Sequence, residues 1–440
     1  MSKYFFLIFL SIILVYSLSE KEKNIPEADD PGYNELLKWG IANNLTISPK
    51  IKFVKNKDRK QYMAKNLIPE EEVIMDIPPE CTINVDKILN LLNSKKFRKA
   101  YNDYTNEDKN EPQVIYDENH VDRTFISYVF YSMNKRKKFY EKNKNKFYEF
   151  IKPMHYMFED NMDHLPFYFS TDQMRFFLNT SFGSIFEIIN KYINDAMALF
   201  EKKIFKKTIN FEEFLPFWIT VMQKSYEIDK KINIIPFIDY FRKDFKNINC
   251  EFKQENGHIQ IKASQNIFPG EEIVMKVVTP SNQHRFVFFG ETFDEILNEF
   301  QTFNIPSLIN NYVTDKTNVN FDVLSFGEKA RVDLKDKNFY DHILDIYKIF
   351  ARTINEDDSD VNALKLMKKY LTRIRGNFDY IKNIDIRNAF FNSKDVNNVK
   401  RIIEGEKNFL DEKINELTEH IKDVENKRES DLKAEDVQDL

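Results

Sequence analysis

The residues with the clearest spacing for chemistry follow a buried apolar run in the middle of the chain. Ile234-Ile235-Pro236-Phe237-Ile238 leads to Asp239, and Arg242 and Lys243 come shortly after it. A carboxylate after a buried strand can hold a turn, whereas two adjacent cations repel a positively charged ligand. At about 4 Å that repulsion amounts to roughly 1 to 4 kcal/mol, depending on screening. A salt bridge from Asp239 or Asp244 would reduce it.

Other catalytic motifs are missing from the sequence. The seven histidines form no His-Glu-x-x-His pattern and no Cys/His pairing, so no metal site is predicted. Neither a glycine-rich phosphate loop nor a nucleophile elbow occurs. The Lys135–Lys138 run is interpreted as a solvated helix face. The net charge of -5 provides no global basic field, which argues against nucleic acid as a partner.

The elements that must position these residues alternate in type along the chain. Strands are predicted at Ile51–Val54, Ala64–Ile68, Val73–Pro78 and within Ile248–Val278, with a charged loop at Lys55–Lys60. Helices are predicted at Leu36–Ile41, Phe211–Tyr226, Ile296–Tyr312, Asp341–Asn355, Val361–Arg375 and Asn397–Lys427. This order predicts an α+β domain followed by a helical one.

The N-terminus has the pattern of a secretory signal peptide. A charged start, the apolar run Tyr4–Tyr16 and the small residues of Ser17-Leu18-Ser19 predict cleavage after residue 19. A signal anchor is the alternative, but the run falls short of the roughly 20 residues that span a bilayer. We therefore expect the mature chain in the endoplasmic reticulum lumen or outside the cell, free of the membrane. Sequons at Asn44 and Asn179 are possible glycan sites.

The two cysteines leave two possibilities open. Cys81 and Cys250 are the only cysteines, so they form either one internal disulfide or two free buried thiols.

Several short motifs recur in one order over most of the chain. They are Trp39-Gly40, Ala64 with Ile68-Pro69-Glu70-Glu71 and Ile77-Pro78, Phe176-Phe177-Leu178-Asn179-Thr180-Ser181, Pro236-Phe237-Ile238-Asp239, and Ile267-Phe268-Pro269-Gly270-Glu271-Glu272-Ile273 before Ser281-Asn282. In this order they resemble the SET-domain protein methyltransferases of the Rubisco large-subunit and actin-histidine class. The resemblance covers roughly residues 34 to 417.

This resemblance implies a fold and a domain plan. The fold is α+β, with the small β-sheets of a SET domain, a helical insertion, and an all-helical C-terminal domain of the substrate-binding type. The implied boundaries are a signal peptide at 1–19, a polar linker at 20–33, a SET-like domain at 34–290 with its insertion at about 86–226, a helical domain at 291–427 and a charged tail at 428–440. The family transfers a methyl group from S-adenosylmethionine to a protein lysine or histidine, which implies a protein substrate or partner.

The positions that would hold the cofactor depart from the family's pattern. The resemblance places Arg59 and Gln61 where the family has a Gly-x-Gly stretch, and Lys224 where it has an arginine. Arg242 and Lys243 replace the family's Asn-His after Asp239, and Val277 stands at the position of its tyrosine. Val has no hydroxyl to steer a nucleophile, so no catalytic residue is predicted.

These departures support three hypotheses in descending order. The first is a secreted or lumenal SET-fold protein, catalytically inactive, that acts by binding protein. The second is an active, divergent methyltransferase with a rebuilt cofactor pocket. The third is a structural or adhesive secreted protein. The predicted compartment favours the first, because S-adenosylmethionine is a charged molecule made in the cytosol.

Overall fold

Strands and helices follow one another in nearly the predicted order. The computed structural model describes residues 30–56, 59–108, 120–142, 145–158, 162–177, 181–200, 209–276, 282–293, 344, 348, 359–382 and 393–438. The predicted signal peptide, Asn179, Val277, the predicted helix Ile296–Tyr312 and nearly all of the predicted helix Asp341–Asn355 lie outside these residues. Among the described helices, none has the length and apolar character needed to cross a bilayer.

The chain divides into two compact units. The first takes its residues from Met1–Arg98, Asp122–Asp160 and Glu212–Val278, and the second from Lys99–Val121, Asn161–Phe211 and Thr279–Leu440. The strands are β1 (Thr46–Ile47), β2 (Ile51–Asn56), β3 (Arg59–Ala64), β4 (Val73–Ile77), β5 (Ser225–Ile228), β6 (Lys231–Ile234), β7 (Arg242–Asp244), β8 (Cys250–Glu255), β9 (His258–Ala263) and β10 (Val274–Lys276). All of them belong to the first unit.

The helices of the described residues are as follows. They are α1 (Pro31–Ala42), α2 (Val85–Leu92), α3 (Lys95–Asp108), α4 (His120–Lys135), α5 (Lys137–Lys142), α6 (Lys146–Ile151), α7 (Thr171–Met174), α8 (Ser181–Phe200), α9 (Phe211–Lys224), α10 (Asn282–Phe289), α11 (Asp360–Lys382) and α12 (Ser393–Gln438). Short 3-10 helices lie at Pro79–Cys81, Lys152–Phe158, Pro166–Tyr168 and Ile238–Tyr240.

One mixed sheet and two hairpins make up the β-structure. The sheet has six strands in the order β1-β4-β9-β8-β10-β7, and β10 runs parallel to both β7 and β8. The β8–β9 hairpin turns at Asn256-Gly257, where both residues have positive φ (52° and 80°), as a two-residue type I′ turn requires. Buried and half-buried residues alternate along β9, which confirms the predicted strand.

Two turns of similar sequence pair with each other in the first unit. Ile68 and Ile267 exchange both of their backbone hydrogen bonds, each at 2.9 Å. Ala64 donates to the carbonyl of Glu271 at 2.9 Å, and Gly270 donates to the carbonyl of Ala64 at 2.8 Å. Gly270 has φ +88°, a conformation that glycine adopts without strain. The two Pro-Glu turns predicted from the sequence are therefore joined side by side.

Helix packing in the second unit is clearest between α11 and α12. Arg375 of α11 bonds Asp411 of α12 at 2.6 Å. The buried residues of the two helices include Leu364, Met367, Leu410 and Leu417. The apolar spacing that predicted these helices is confirmed, although both run past their predicted ends.

Several sequence-based bounds are wrong. The charged loop predicted at Lys55–Lys60 falls within the β2–β3 hairpin, whose register places Asn56 opposite Arg59. The strand predicted at Ala64–Ile68 lies earlier, as β3. The β5–β6 hairpin was not predicted, although its turn residues Asp229 and Lys230 both have positive φ. The strands of this hairpin are short, and helix α9 leads directly into the first of them. The helical spacing of the apolar residues was therefore extended over the start of β5.

The two ends of the described chain are helical. Helix α1 begins at Pro31, and the Asp30 side chain caps it by accepting from the Tyr33 amide at 3.0 Å. Tyr33 is fully buried, although the sequence placed it in a polar linker. Helix α12 continues to Gln438, through most of the predicted tail.

Candidate functional site

Four short elements of the first unit bring the predicted site residues together. Lys224 ends α9, Tyr226 lies in β5, Asp239 lies in the 3-10 helix Ile238–Tyr240, and Arg242 and Lys243 open β7. The 3-10 helix is held in place because its apolar neighbours are buried, with Ile235, Phe237 and Ile238 at 0% exposure. The packing of this apolar run therefore fixes where the Asp239 carboxylate lies.

Asp239 is the centre of a cluster of four polar side chains. The Lys243 ammonium donates to its Oδ1 atom at 2.9 Å, and the Tyr226 hydroxyl donates to the same oxygen at 3.1 Å. Lys224 Nζ lies 3.4 Å from Oδ2. Lys243 also donates to the Tyr226 hydroxyl. One carboxylate therefore serves two ammonium groups and a phenol.

Burial makes this cluster sensitive to charge. The side chains of Asp239, Lys243 and Lys224 are only 13%, 15% and 6% exposed. Burial alone raises the pKa of Asp239, but the positive charges of Lys243 and Lys224 and the hydrogen bonds from Lys243 and Tyr226 outweigh it, and the pKa lies below its usual value. Asp239 is therefore ionised at neutral pH.

Arg242 contacts a second set of side chains. Its guanidinium bonds Glu272, and it also bonds Asp244 at 2.7 Å. The hydrogen bond that Arg242 donates to Glu272 raises the pKa of Arg242, with Asp244 adding to the effect. Arg242 and Lys243 are thus both paired, although they are neighbours in the chain, because successive strand residues face opposite sides.

Gln61 belongs to this second set and not to a loop. It lies in β3, is 7% exposed, and its amide donates to Glu272 Oε1 at 3.1 Å. Gln61 is therefore a buried strand residue that directly follows the charged loop predicted at Lys55–Lys60. Arg59 begins the same strand, and Val277 lies beyond the described residues.

The charges of the two sets balance. Around Asp239 there are two ammonium groups and one carboxylate, and around Arg242 there are two carboxylates and one guanidinium. The salt bridges that would reduce the expected repulsion are therefore both present. What distinguishes the site is that these polar groups are bonded to one another.

Aromatic rings fill the space beside Gln61 and Asp239. Tyr62, next to Gln61, lies 5.9 Å from Tyr240 and 4.8 Å from Phe241, measured between ring centroids. Its hydroxyl accepts a hydrogen bond from Tyr33 at 3.1 Å. Both Tyr62 and Tyr240 are buried. The β3 strand and the Asp239 turn are therefore packed against each other through side chains.

Sequence reasoning assigned no role to two members of the site, Tyr226 and Glu272. Tyr226 lies two residues after Lys224, on a strand that was read as helix. Glu272 lies in the second of the two paired turns, within the Ile267–Ile273 motif that contributed to the resemblance. No sequence pattern links Glu272 to Arg242, which lies 30 positions before it.

Metal and disulfide chemistry find no support in the described part of the chain. It contains no group of three or more His, Cys, Asp or Glu side chains placed to hold a metal ion. Cys81 and Cys250 are both buried and free, which decides between the two possibilities left open by the sequence.

Comparison with known proteins identifies the architecture. No protein-family model matches the sequence, and no curated protein matches it either. A crystal structure of the SET domain of LSMT bound to lysine and AdoHcy does match, with a TM-score of 0.55 and 9% identity over 89% of this chain and 92% of that one. A structure of Rubisco LSMT bound to AdoMet matches with a TM-score of 0.55 and 11% identity, over 90% of this chain and 94% of that one.

The chain has a SET-domain fold. The α+β class and the helical C-terminal region expected from the resemblance are confirmed. At 9 to 12% identity, the likeness is one of architecture.

The SET fold raises the question of whether these residues suit S-adenosylmethionine, which carries a sulfonium cation. The described side chains at the implied positions do not fit it. Lys243 donates to Oδ1 of Asp239, and Lys224 lies 3.4 Å from Oδ2, which accepts no hydrogen bond from the described residues; Gln61 and Arg242 both bond the Glu272 carboxylate. A sulfonium placed here would meet positive charges whose counter-charges are already used.

Proposed function

We propose that this SET-fold protein has lost methyl transfer from S-adenosylmethionine and acts by binding other proteins. The observation that carries the proposal is the ion cluster in which Lys243 and Lys224 both contact Asp239, at 2.9 and 3.4 Å. Two ammonium groups this close to the carboxylate repel a cationic ligand. The rings of Tyr62 and Tyr240, which follow Gln61 and Asp239 in the chain, also pack against each other at the implied cofactor position.

A thermal-shift titration with S-adenosylmethionine tests the loss of cofactor binding. A ligand that binds only the folded state stabilises it by RT ln(1 + [L]/Kd), so a cofactor present at about 100 times its Kd would add about 2.7 kcal/mol. We expect no shift at millimolar cofactor. A saturable shift, together with methyl incorporation into a lysate of the same compartment, would overturn the proposal.

An active protein-lysine methyltransferase is the alternative function. The observation in its favour is that three of the matching structures hold AdoMet or AdoHcy, and two of these three also hold lysine or methyllysine. Activity would require Lys224 and Lys243 to release Asp239 when the cofactor binds. The same titration separates the two functions.

We also propose that the protein works in the secretory pathway, on the basis of the predicted signal peptide at 1–19. Of the two sequons, Asn44 lies in the described part of the chain and is exposed, with φ 68° just after α1. A reporter fused after Ser19 should enter the secretory pathway, and its retention in the cytosol would remove this proposal. Loss of mass on treatment with a peptide N-glycosidase, abolished by Asn44→Gln, would assign the glycan.

A further inference from the structure

Exposed large apolar side chains are few and unevenly distributed. Among the described residues they are Leu67, Val73, Tyr168 and Phe268. Three of these four lie in or beside the two paired Pro-Glu turns of the first unit. Phe268 is 56% exposed and Leu67 is 45% exposed, the two largest values. Isolated apolar residues on a surface are ordinary, but an adjacent pair requires an explanation.

The paired turns place Leu67 and Phe268 opposite each other. Ile68 and Ile267 form an antiparallel bridge, so the next residues along it, Leu67 and Phe268, face one another. Side chains that face each other in this way have their Cβ atoms about 5 Å apart. Because Ile68 and Ile267 are both buried, Leu67 and Phe268 project to the solvent side.

The backbone that carries this pair is held by several hydrogen bonds. The Phe268 amide donates to Glu271 Oε2 at 2.8 Å, and the Glu70 amide donates to Asn266 Oδ1 at 3.1 Å. The bonds of Ala64 to Glu271 and Gly270 fix the base of both turns. A surface ordered before binding loses little conformational entropy when a partner arrives.

Exposed carboxylates lie in the same two turns as the apolar pair. Glu70, Glu71 and Glu271 are exposed in the two turns, whereas Glu72 pairs with Lys50 and Glu272 with Arg242. Two lysines lie nearby. Lys65 is exposed, and Lys253 bonds Glu251 and lies 3.9 Å from Glu71. The rim of the apolar pair is therefore acidic.

We propose that the Leu67–Phe268 surface docks a segment of another protein in which apolar side chains alternate with lysine or arginine. The apolar side chains would cover Leu67 and Phe268, and the basic ones would meet Glu70, Glu71 and Glu271. This inference rests on the proposed protein-binding function, for which it names a surface and a partner chemistry. It does not depend on whether the cofactor binds.

The test uses the full chain and a labelled synthetic peptide of alternating Lys and Leu, followed by fluorescence anisotropy. We expect saturable binding that the double substitution Leu67→Ser, Phe268→Ser weakens at least about tenfold, as for residues central to an interface. Tyr168→Ser, which removes the exposed apolar side chain of the second unit, is the matched control and should bind like the wild type. Both substituted side chains are exposed, so circular dichroism should show an unchanged fold.

Two altered peptides separate the apolar and the ionic contributions. A peptide with Ser in place of Leu should bind at least about tenfold more weakly, and one with Glu in place of Lys should not bind. Equal binding by the double variant, equal binding of the Ser-Lys peptide, or no binding of the Lys-Leu peptide to the wild type would each overturn the inference.

Sedimentation and the cofactor titration complete the design. Self-association of the wild type that the double substitution abolishes would identify a second copy as the occupant and overturn the proposed partner. If S-adenosylmethionine binds while the peptide results hold, the proposed loss of cofactor fails and the docking surface stands. If neither cofactor nor peptide binds, only the docking surface fails.

Discussion

Lys243 donates a hydrogen bond to Asp239 across four residues, at 2.9 Å, in a part of the chain where both side chains are more than four-fifths buried. The same carboxylate has Lys224 on its other oxygen at 3.4 Å. A buried pair of this kind is expensive to break from one side, because the remaining charge keeps its desolvation cost. This asymmetry yields the first prediction.

Asp239→Asn should destabilise the first unit more than Lys243→Met. The first change removes the carboxylate that both buried ammonium groups contact, and we expect a loss of about 3 kcal/mol, against about 1 to 2 kcal/mol for the second change. Both tryptophans of the chain, Trp39 and Trp218, are buried in the first unit, so urea unfolding followed by tryptophan fluorescence measures it. Lys38→Ala, on the exposed face of α1, is the control. A larger loss for Lys243→Met would contradict the prediction.

Acid should narrow the difference in free energy of unfolding between the wild type and Asp239→Asn. The pKa of Asp239 is lowered in the folded state, so its contribution is complete above the pKa of the unfolded group, about 3.9. That contribution is lost as the pH falls through the lower pKa of the folded state. Urea unfolding of both proteins from pH 7 to pH 3 should show a gap that is constant above about pH 5 and shrinks below pH 4. A difference that stays constant to pH 3 would show that folding does not lower the pKa of Asp239.

Glu272→Gln should destabilise the first unit moderately, whereas Glu70→Gln should have little effect. Glu272 accepts hydrogen bonds from Arg242 and Gln61, and Glu70 is an exposed residue of the other turn. The Arg242 side chain is 39% exposed, so solvent screens the pair. We expect a loss of about 1 to 2 kcal/mol for Glu272→Gln and less than about 0.5 kcal/mol for Glu70→Gln. Equal shifts of the urea midpoint in the two variants would show that the hydrogen bonds of Glu272 do not stabilise the first unit.

Both thiols should be unreactive in the folded protein and reactive in urea. Burial raises the pKa of Cys81 to about 12 and also raises that of Cys250, so neither forms thiolate at pH 8. A thiol reagent should react quickly with no thiol of the native protein. After unfolding in the absence of reductant it should react with two thiols. The variants Cys81→Ala and Cys250→Ala should each reduce the final count by one. Fewer than two thiols in unfolded wild type would indicate a disulfide.

Local structure was accessible from the sequence where neighbouring residues determine it. The β-structure predicted within Ile248–Val278 includes β9, where buried and half-buried residues alternate because a sheet repeats every two residues. The order of short motifs predicted the SET fold, which the structural comparison supports. The β5–β6 hairpin and the bounds of β3 were missed, since short strands next to helices give little periodic signal.

What the sequence by itself determined is that Arg242 and Lys243 follow shortly after Asp239. That they and Gln61 replace conserved-motif residues of the family stays a prediction from the resemblance. Only the tertiary structure decided that these residues neutralise one another. Gln61 and Glu272 are 211 positions apart, and no local pattern predicts their hydrogen bond. Charges interact strongly only within a few ångströms, and the long-range packing of β3, the Asp239 turn and the Glu272 turn sets those distances.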